Sequence, residues 1–142
     1  MNDMPKYSTE QLFDLARKET SAYNGADYAF KALNSVFNEN PINREKACDA
    51  IGLMIEKTSQ SQDPDFRWKT LTEAYSFADY IEAENLQRKA TEQLIKTIPK
   101  FCEKNHPGTR KSHIDDIYSS YIHPEWQEEA KMLLDAELNL LS

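Results

Sequence analysis

One cysteine and all three histidines of the chain fall within 22 residues, and these are the residue types that most often bind zinc. They are Cys102, His106, His113 and His123. Cys102 and His106 are four residues apart, so on one helical face they could share a metal ion. Structural zinc sites usually carry two such closely spaced pairs, and only one is present here. The spacing keeps a metal-dependent enzyme or metal sensor as an alternative, but a buried thiol at Cys102 is the simpler interpretation. No metal or cofactor is predicted.

Other catalytic signatures are missing from the sequence. Cys–His or Ser–His catalysis needs a third orienting group, and there is no Gly-x-Ser-x-Gly motif to present a nucleophile. The three glycines (Gly25, Gly52 and Gly108) are isolated, so no glycine-rich loop can cradle a phosphate. We therefore expect that the protein is not an enzyme.

The formal net charge of −7 is unevenly distributed. Residues 96–113 carry five basic groups and one acidic group, whereas the segments before and after them are acidic. The acidic total makes nucleic acid an unlikely partner, because binding to it depends on neutralising phosphates. It also suggests an alternative function, an inhibitor or immunity-type protein that neutralises a basic partner. Within the basic band the weak candidates for anion binding are Lys100, Lys104, Arg110 and Lys111; pairing with the acidic last helix is the simpler role for the band.

The composition predicts an all-α fold. The chain has one valine and three glycines, which is poor material for sheets with tight hairpins. Apolar residues at helical spacing predict about seven helices in antiparallel pairs, within one helical domain spanning 1–142. We expect either an irregular helical bundle or a short α-solenoid of tetratricopeptide type.

Several helix boundaries can be predicted from local signals. Ser8 and Gln11 form a capping-box pattern at the start of the first helix, and Asn24-Gly25 is typical of its end. Asp63-Pro64 predicts a helix start, and two helices are expected to meet near Ile81–Glu82. Pro99 predicts a kink or a helix end, and Ser112 a later helix start.

A cytoplasmic location is expected. The two cysteines are isolated, as is usual for thiols in a reducing compartment. The first residues contain no apolar stretch that could act as a signal, and no window approaches the roughly 18 apolar residues of a membrane span. No membrane partner is predicted.

Residues 68–99 resemble one hairpin of the tetratricopeptide-repeat family. Trp68, Leu71 and Tyr75 match its first helix, Asp79-Tyr80 its turn, and two alanines seven residues apart, Ala83 and Ala90, its second helix. The match departs from the family by one extra residue before Ala83 and by a late proline at position 99, and no 34-residue period is present. The resemblance implies a surface that binds a peptide or helix of another protein.

The function predicted from the sequence is therefore a non-catalytic protein–protein interaction module, either an adaptor or an assembly subunit. Its partner would be another protein, bound in a helical groove. The oligomeric state is left open. Trp68 and Trp126 lie in apolar rows and are expected in the core. The predicted contacts with the partner are four tyrosines that we expect to form a partly exposed aromatic surface: Tyr75, Tyr80, Tyr118 and Tyr121.

Overall fold

The structure, a computed structural model, describes residues 7–101 and 108–139, apart from the side chain of Leu138. Within these residues the chain is all-α, as predicted, with seven α-helices, two short 3-10 turns and no strand. The α-helices are α1 (Thr9–Lys18), α2 (Ala22–Phe37), α3 (Arg44–Ser59), α4 (Pro64–Tyr80), α5 (Glu84–Thr97), α6 (Thr109–Ser120) and α7 (Gln127–Asn139). The 3-10 turns are Ile98–Lys100 and Pro124–Trp126.

Two helix starts form as their local sequences predict. At α1, Ser8 Oγ accepts a hydrogen bond from the Gln11 backbone N–H at 3.1 Å. The Gln11 side chain returns one from the Ser8 backbone N–H at 2.8 Å, which completes the capping box. At α4, the Asp63 carboxylate accepts from the Asp65 backbone N–H at 3.1 Å, and Pro64 occupies the first helical position.

The predicted end of the first helix is wrong. α1 ends at Lys18, and α2 begins at Ala22, capped by Ser21, so Gly25 lies inside α2 instead of stopping α1. A Cβ added at Gly25 would lie only 2.8 Å from Cδ of Lys57 on α3. The glycine at this position therefore permits a close approach of α3, a tertiary requirement that resembles a helix stop in the sequence.

A tight turn joins α4 to α5 at the predicted place. Residues 81–83 form it, and Glu82 adopts a positive φ of 56°. The guanidinium of Arg44, at the start of α3, donates to the Ile81 carbonyl at 3.1 Å and to the Glu82 carbonyl at 3.2 Å. α3 thus holds the turn that separates the two helices of the predicted hairpin.

The later boundaries agree in part with the sequence. α5 ends at Thr97 and continues as the 3-10 turn that contains Pro99, so the proline ends this helix, as one of its two expected effects. α6 begins at Thr109 directly after Gly108, which has a φ of 83°, and the prediction of Ser112 as its cap is wrong. Ser112 instead donates its backbone N–H to the Gly108 carbonyl at 2.9 Å, inside the first turn.

A buried arginine ties three helices together. Arg67 of α4 is 2% exposed and has no carboxylate partner within the part of the chain that the structure describes. Its guanidinium donates to Thr97 Oγ1 at 2.9 Å, to the Ser59 carbonyl at 2.9 Å at the end of α3, and to the side chain of Gln93 at 3.0 Å. The five N–H donors of an arginine suit such a position, where several helix-end carbonyls need partners.

The helices pack in series. From α1 to α5, each helix packs on the next, and contacts also join α1 with α3, α3 with α5 and α5 with α7. A single hydrophobic cluster extends from Leu12 in α1 to Leu134 in α7. In the described part of the chain, neither α1 nor α2 packs extensively on α6 or α7. The first and last helix pairs of this bundle are therefore separated by the central helices.

Candidate functional site

The most exposed aromatic surface follows α2 and α4. Three aromatic residues of α2 recur at intervals of seven, which is almost two helical turns, so they share one face of the helix. The facing side of α4 is also aromatic. We call the space between the two helices the aromatic groove; its apolar lining consists of Tyr23, Phe30, Phe37, Ile42, Phe66, Phe77 and Tyr80.

Side chains, rather than backbones, fill the gap between α2 and α4. Both helices pack on α3 and not closely on each other. Near the starts of the two helices, the rings of Tyr23 and Phe66 have centroids 5.4 Å apart. Near their ends, the rings of Phe37 and Phe77 are 5.5 Å apart. The two helices therefore run in the same direction along the groove, and their rings form its floor.

Two cavities open along the groove. The first, of about 380 Å³, lies between Tyr23, Phe30 and Phe66. The second, of about 440 Å³, lies between Phe37, Phe77 and neighbouring apolar residues at the other end. The rings of Phe30 and Phe77 are 6.0 Å apart and lie between the two cavities. Each cavity has the size to accept a large apolar side chain.

The rims of these cavities are unusually exposed for apolar residues. Tyr80 is 73% exposed, Tyr23 is 65% exposed and Ile42 is 39% exposed. Single exposed apolar residues are ordinary, whereas exposed apolar residues that border concave apolar space are typical of binding surfaces. Tyrosine suits such a position, since its ring is apolar and its hydroxyl can stay in water.

Charge differs between the two ends of the groove. The first cavity is lined by three carboxylates and one ammonium group, from Asp27, Asp65, Glu73 and Lys69. Asp27 also forms an ion pair with Lys31 at 3.0 Å, and both side chains of this pair are exposed to solvent. Among the described residues, no charged side chain lines the second cavity. The groove is thus acidic at one end and neutral at the other.

The four tyrosines predicted as partner contacts do not share one surface. Tyr80 lies at the rim of the aromatic groove, and Tyr118 is 36% exposed on α6. Tyr75 is only 6% exposed, and its ring packs edge-on against half-buried Tyr121 with centroids 5.6 Å apart. Burial raises the pKa of the Tyr75 hydroxyl. The expectation of an exposed Tyr75 is therefore wrong, because α4 turns that side chain towards the core.

Two of the predicted anion-binding residues, Lys100 and Arg110, are engaged in hydrogen bonds within the chain. Lys100 donates to the Gln62 side chain at 2.6 Å. Arg110 donates to the Phe101 carbonyl at 2.8 Å and to the Pro99 carbonyl at 3.0 Å, so it fixes the end of the 3-10 turn. Lys111 is exposed, and Lys104 lies outside the described residues. Glu129 of α7 forms an ion pair with Arg88 of α5, and not with a residue of the basic band.

Two members of the predicted Cys/His cluster, Cys102 and His106, lie outside the described residues. The imidazole of His113 packs at a tilt against two rings that also contact each other, Trp68 at a centroid distance of 3.9 Å and Phe101 at 4.3 Å. Burial lowers the pKa of His113, and Nδ1 of this ring has no hydrogen-bond partner among the described residues. His113 is thus part of a cluster of aromatic rings.

His123 lies instead beside two carboxylates, those of Glu84 and Glu125. Its Nε2 is 3.6 Å from a Glu84 oxygen, and its Nδ1 accepts a hydrogen bond from the Glu125 backbone N–H at 3.2 Å. Because Nδ1 is the acceptor, the neutral ring carries its proton on Nε2, and neither nitrogen presents a free lone pair. The geometry favours a polar contact with Glu84 over metal ligation.

A second, larger groove of about 1010 Å³ crosses α1, α3 and α5. Its lining is largely charged, with groups of both signs, and one of them, Arg44, already holds the α4–α5 turn. Gly52 lies in this groove, where an added Cβ would meet only Leu86, at 3.9 Å. Among the described residues, no neighbouring helix therefore approaches Gly52 closely enough to require a glycine. The aromatic groove is the better candidate, because the centres of protein interfaces are enriched in aromatic residues and depleted of charge.

Both tryptophans pack as predicted. Trp126 is 6% exposed and Trp68 is half-buried against the core. The sequence did contain a signal for the aromatic groove, namely the recurrence of Tyr23, Phe30 and Phe37 at every seventh position. Nothing in the sequence indicated that this row faces α4.

Neither a protein-family model, nor a curated protein, nor a solved structure matches this chain significantly. The resemblance of residues 68–99 to a tetratricopeptide hairpin stays a prediction.

No helix in the described ranges, 7–101 and 108–139, combines the length and the apolar character needed to cross a membrane.

Proposed function

We propose that this chain is a non-catalytic protein–protein interaction module, an adaptor or assembly subunit, that binds its partner in the aromatic groove. The observation that carries the proposal is a row of half-buried aromatic rings over two cavities, with an exposed tyrosine at each end. Tyr80 and Tyr23, at opposite ends of the row, are more than half exposed. Tyrosine is among the residue types that contribute most to binding energy at interfaces.

The groove also has a rigid base, which favours affinity. Its floor consists of rings on two helices that both pack on α3, and α3 contributes buried residues to the core. A partner binding there would immobilise few side chains, so little of the interaction energy would be lost to ordering. The tetratricopeptide resemblance supports the same proposal, since α4 is the first helix of that hairpin. A cytoplasmic location belongs to this proposal as well.

Site-specific photo-crosslinking tests the proposal directly. A photoreactive phenylalanine analogue is placed at position 80 or 23 of the tagged chain, and a control carries it at position 132. Met132 of α7 is 72% exposed and distant in the chain from the groove, so it matches Tyr80 in exposure. After irradiation in native lysate, we expect one protein to be crosslinked stoichiometrically from positions 80 and 23 and not from 132.

Two results would contradict the proposal. One is crosslinking of the same protein from position 132 with none from 80 or 23, which would place the interface on α7. The other is a lack of any specific adduct from all three positions, together with a turnover activity in the purified chain. Circular dichroism of each labelled protein confirms that the fold is retained.

A further inference from the structure

We infer that the aromatic groove binds an amphipathic helix whose apolar face is flanked by basic residues at one end. This inference rests on the proposed function and adds the conformation and charge of the partner segment.

The backbone of the groove favours a helical occupant. Both walls are α-helices, in which the backbone N–H and C=O groups are already paired within the helix. An extended peptide would bring unpaired backbone groups to an apolar floor that offers them no partners, and burying such groups is costly. A helix satisfies its own backbone and presents only side chains, as in other helix-in-groove complexes.

The cavities set the spacing of the anchors. From the middle of the first cavity to the second, α2 and α4 advance by about 12–16 Å, or two to three helical turns. A partner helix lying along the groove would therefore place one large apolar residue in each cavity, with the two anchors about 11 residues apart, because at that separation they share one face of the helix. Smaller apolar residues between them would rest on the Phe30 and Phe77 rings.

The charge of the first cavity sets the polarity of the partner. Asp65 and Glu73 of α4 line it and form no ion pair within the described residues, where Lys69 is the single basic residue of the lining. The second cavity is uncharged. A lysine or arginine beside the first anchor would meet these carboxylates, whereas an acidic residue there would be repelled. Opposite charges thus select both the partner and its direction in the groove.

The probes are two synthetic helical peptides with identical leucine anchors eleven residues apart, which places both anchors on one face of the peptide helix. One carries lysines and the other glutamates around the first anchor. Fluorescently labelled peptides are titrated with the full chain at low salt, with anisotropy as the readout. We expect the lysine peptide to bind about three- to tenfold more tightly, the size expected for one or two exposed charge contacts. The difference should shrink at high salt.

Matched variants locate the effect. Asp65→Asn combined with Glu73→Gln should remove the preference for the lysine peptide. Asp115→Asn combined with Glu128→Gln makes the same charge change at exposed positions of α6 and α7 and should retain it. Equal binding of both peptides, lost on Tyr23→Ser with Tyr80→Ser, would overturn the charge inference and leave the groove itself supported. Binding of neither peptide would overturn the helix inference, and the crosslinking experiment then decides the proposed function independently.

Discussion

The stem of Lys57 lies directly against Gly25, and its ammonium group caps α1. The Lys57 Nζ donates to the Glu19 carbonyl at 2.8 Å and to the Arg17 carbonyl at 3.3 Å. A Cβ at position 25 would be 2.8 Å from Lys57 Cδ. The Lys57 side chain is fixed at Nζ by these hydrogen bonds and at its backbone by α3. Its methylene stem therefore has little freedom to move away from position 25. Lys57 therefore joins the end of α1 and the start of α2 to α3.

We expect Gly25→Ala to lower the free energy of unfolding by about 1 kcal/mol, because overpacking outweighs the better helix propensity of alanine. Urea denaturation measures the change. In a Lys57→Ala background the clash is absent, so the same substitution should be neutral or stabilising. A destabilisation of equal size in both backgrounds would show that Lys57 is not the cause.

Arg67→Met should lower the free energy of unfolding by about 3 kcal/mol or more, since it leaves several buried carbonyls without donors. Arg67→Lys should recover only part of this loss, because an ammonium group cannot reach the same set of acceptors as a guanidinium. Lys69→Met, an exposed position two residues away, is the control and should change stability by less than about 0.5 kcal/mol. Similar urea midpoints for Arg67→Met and the control would contradict the structural role of this arginine.

The stability of the protein should fall in mild acid through His113. Burial lowers the pKa of His113 in the folded state, against a smaller opposite effect of Asp116 and Asp65. The unfolded chain therefore binds the proton more tightly, and the contribution of the neutral ring is complete above about pH 6.5. It is lost as the pH falls from there through the folded-state pKa.

Replacing the ring tests this pH dependence. His113→Phe retains an aromatic ring against Trp68 and Phe101, but the phenylalanine side chain cannot be protonated. Unfolding free energies at pH 8 and pH 5.5 should then differ less in the variant than in the wild type. An unchanged difference would assign the acid sensitivity of the protein to other groups.

Truncation of two tyrosines of α4 should have different effects, one on stability and the other on binding. Tyr75→Ala removes a buried ring and should cost about 3–5 kcal/mol of stability. Tyr80→Ala removes an exposed ring and should change stability by less than about 0.5 kcal/mol while weakening binding of the lysine peptide. Thermal denaturation and peptide anisotropy separate the two effects. A large loss of stability in Tyr80→Ala would mean that this ring serves the fold rather than binding.

Local signals predicted much of the fold. The Ser8–Gln11 capping box and the Asp63-Pro64 start depend only on neighbouring residues, so both formed as the sequence indicated. The scarcity of valine and glycine likewise predicted the all-α class. Gly25 shows the limit of such reasoning. Its role depends on Lys57, which is 32 positions away, and no local pattern contains that contact.

The sequence by itself determined where α1 and α4 begin and which residues are aromatic. Only the tertiary structure decided which aromatic residues reach the surface. Tyr75 and Tyr80 lie five positions apart on one helix, about 140° around its axis, so packing of α4 buries the first and exposes the second. The seven-residue aromatic row of α2 became one wall of a groove because α3 holds α2 and α4 side by side. Such pairing depends on how whole helices pack, which local propensity does not encode.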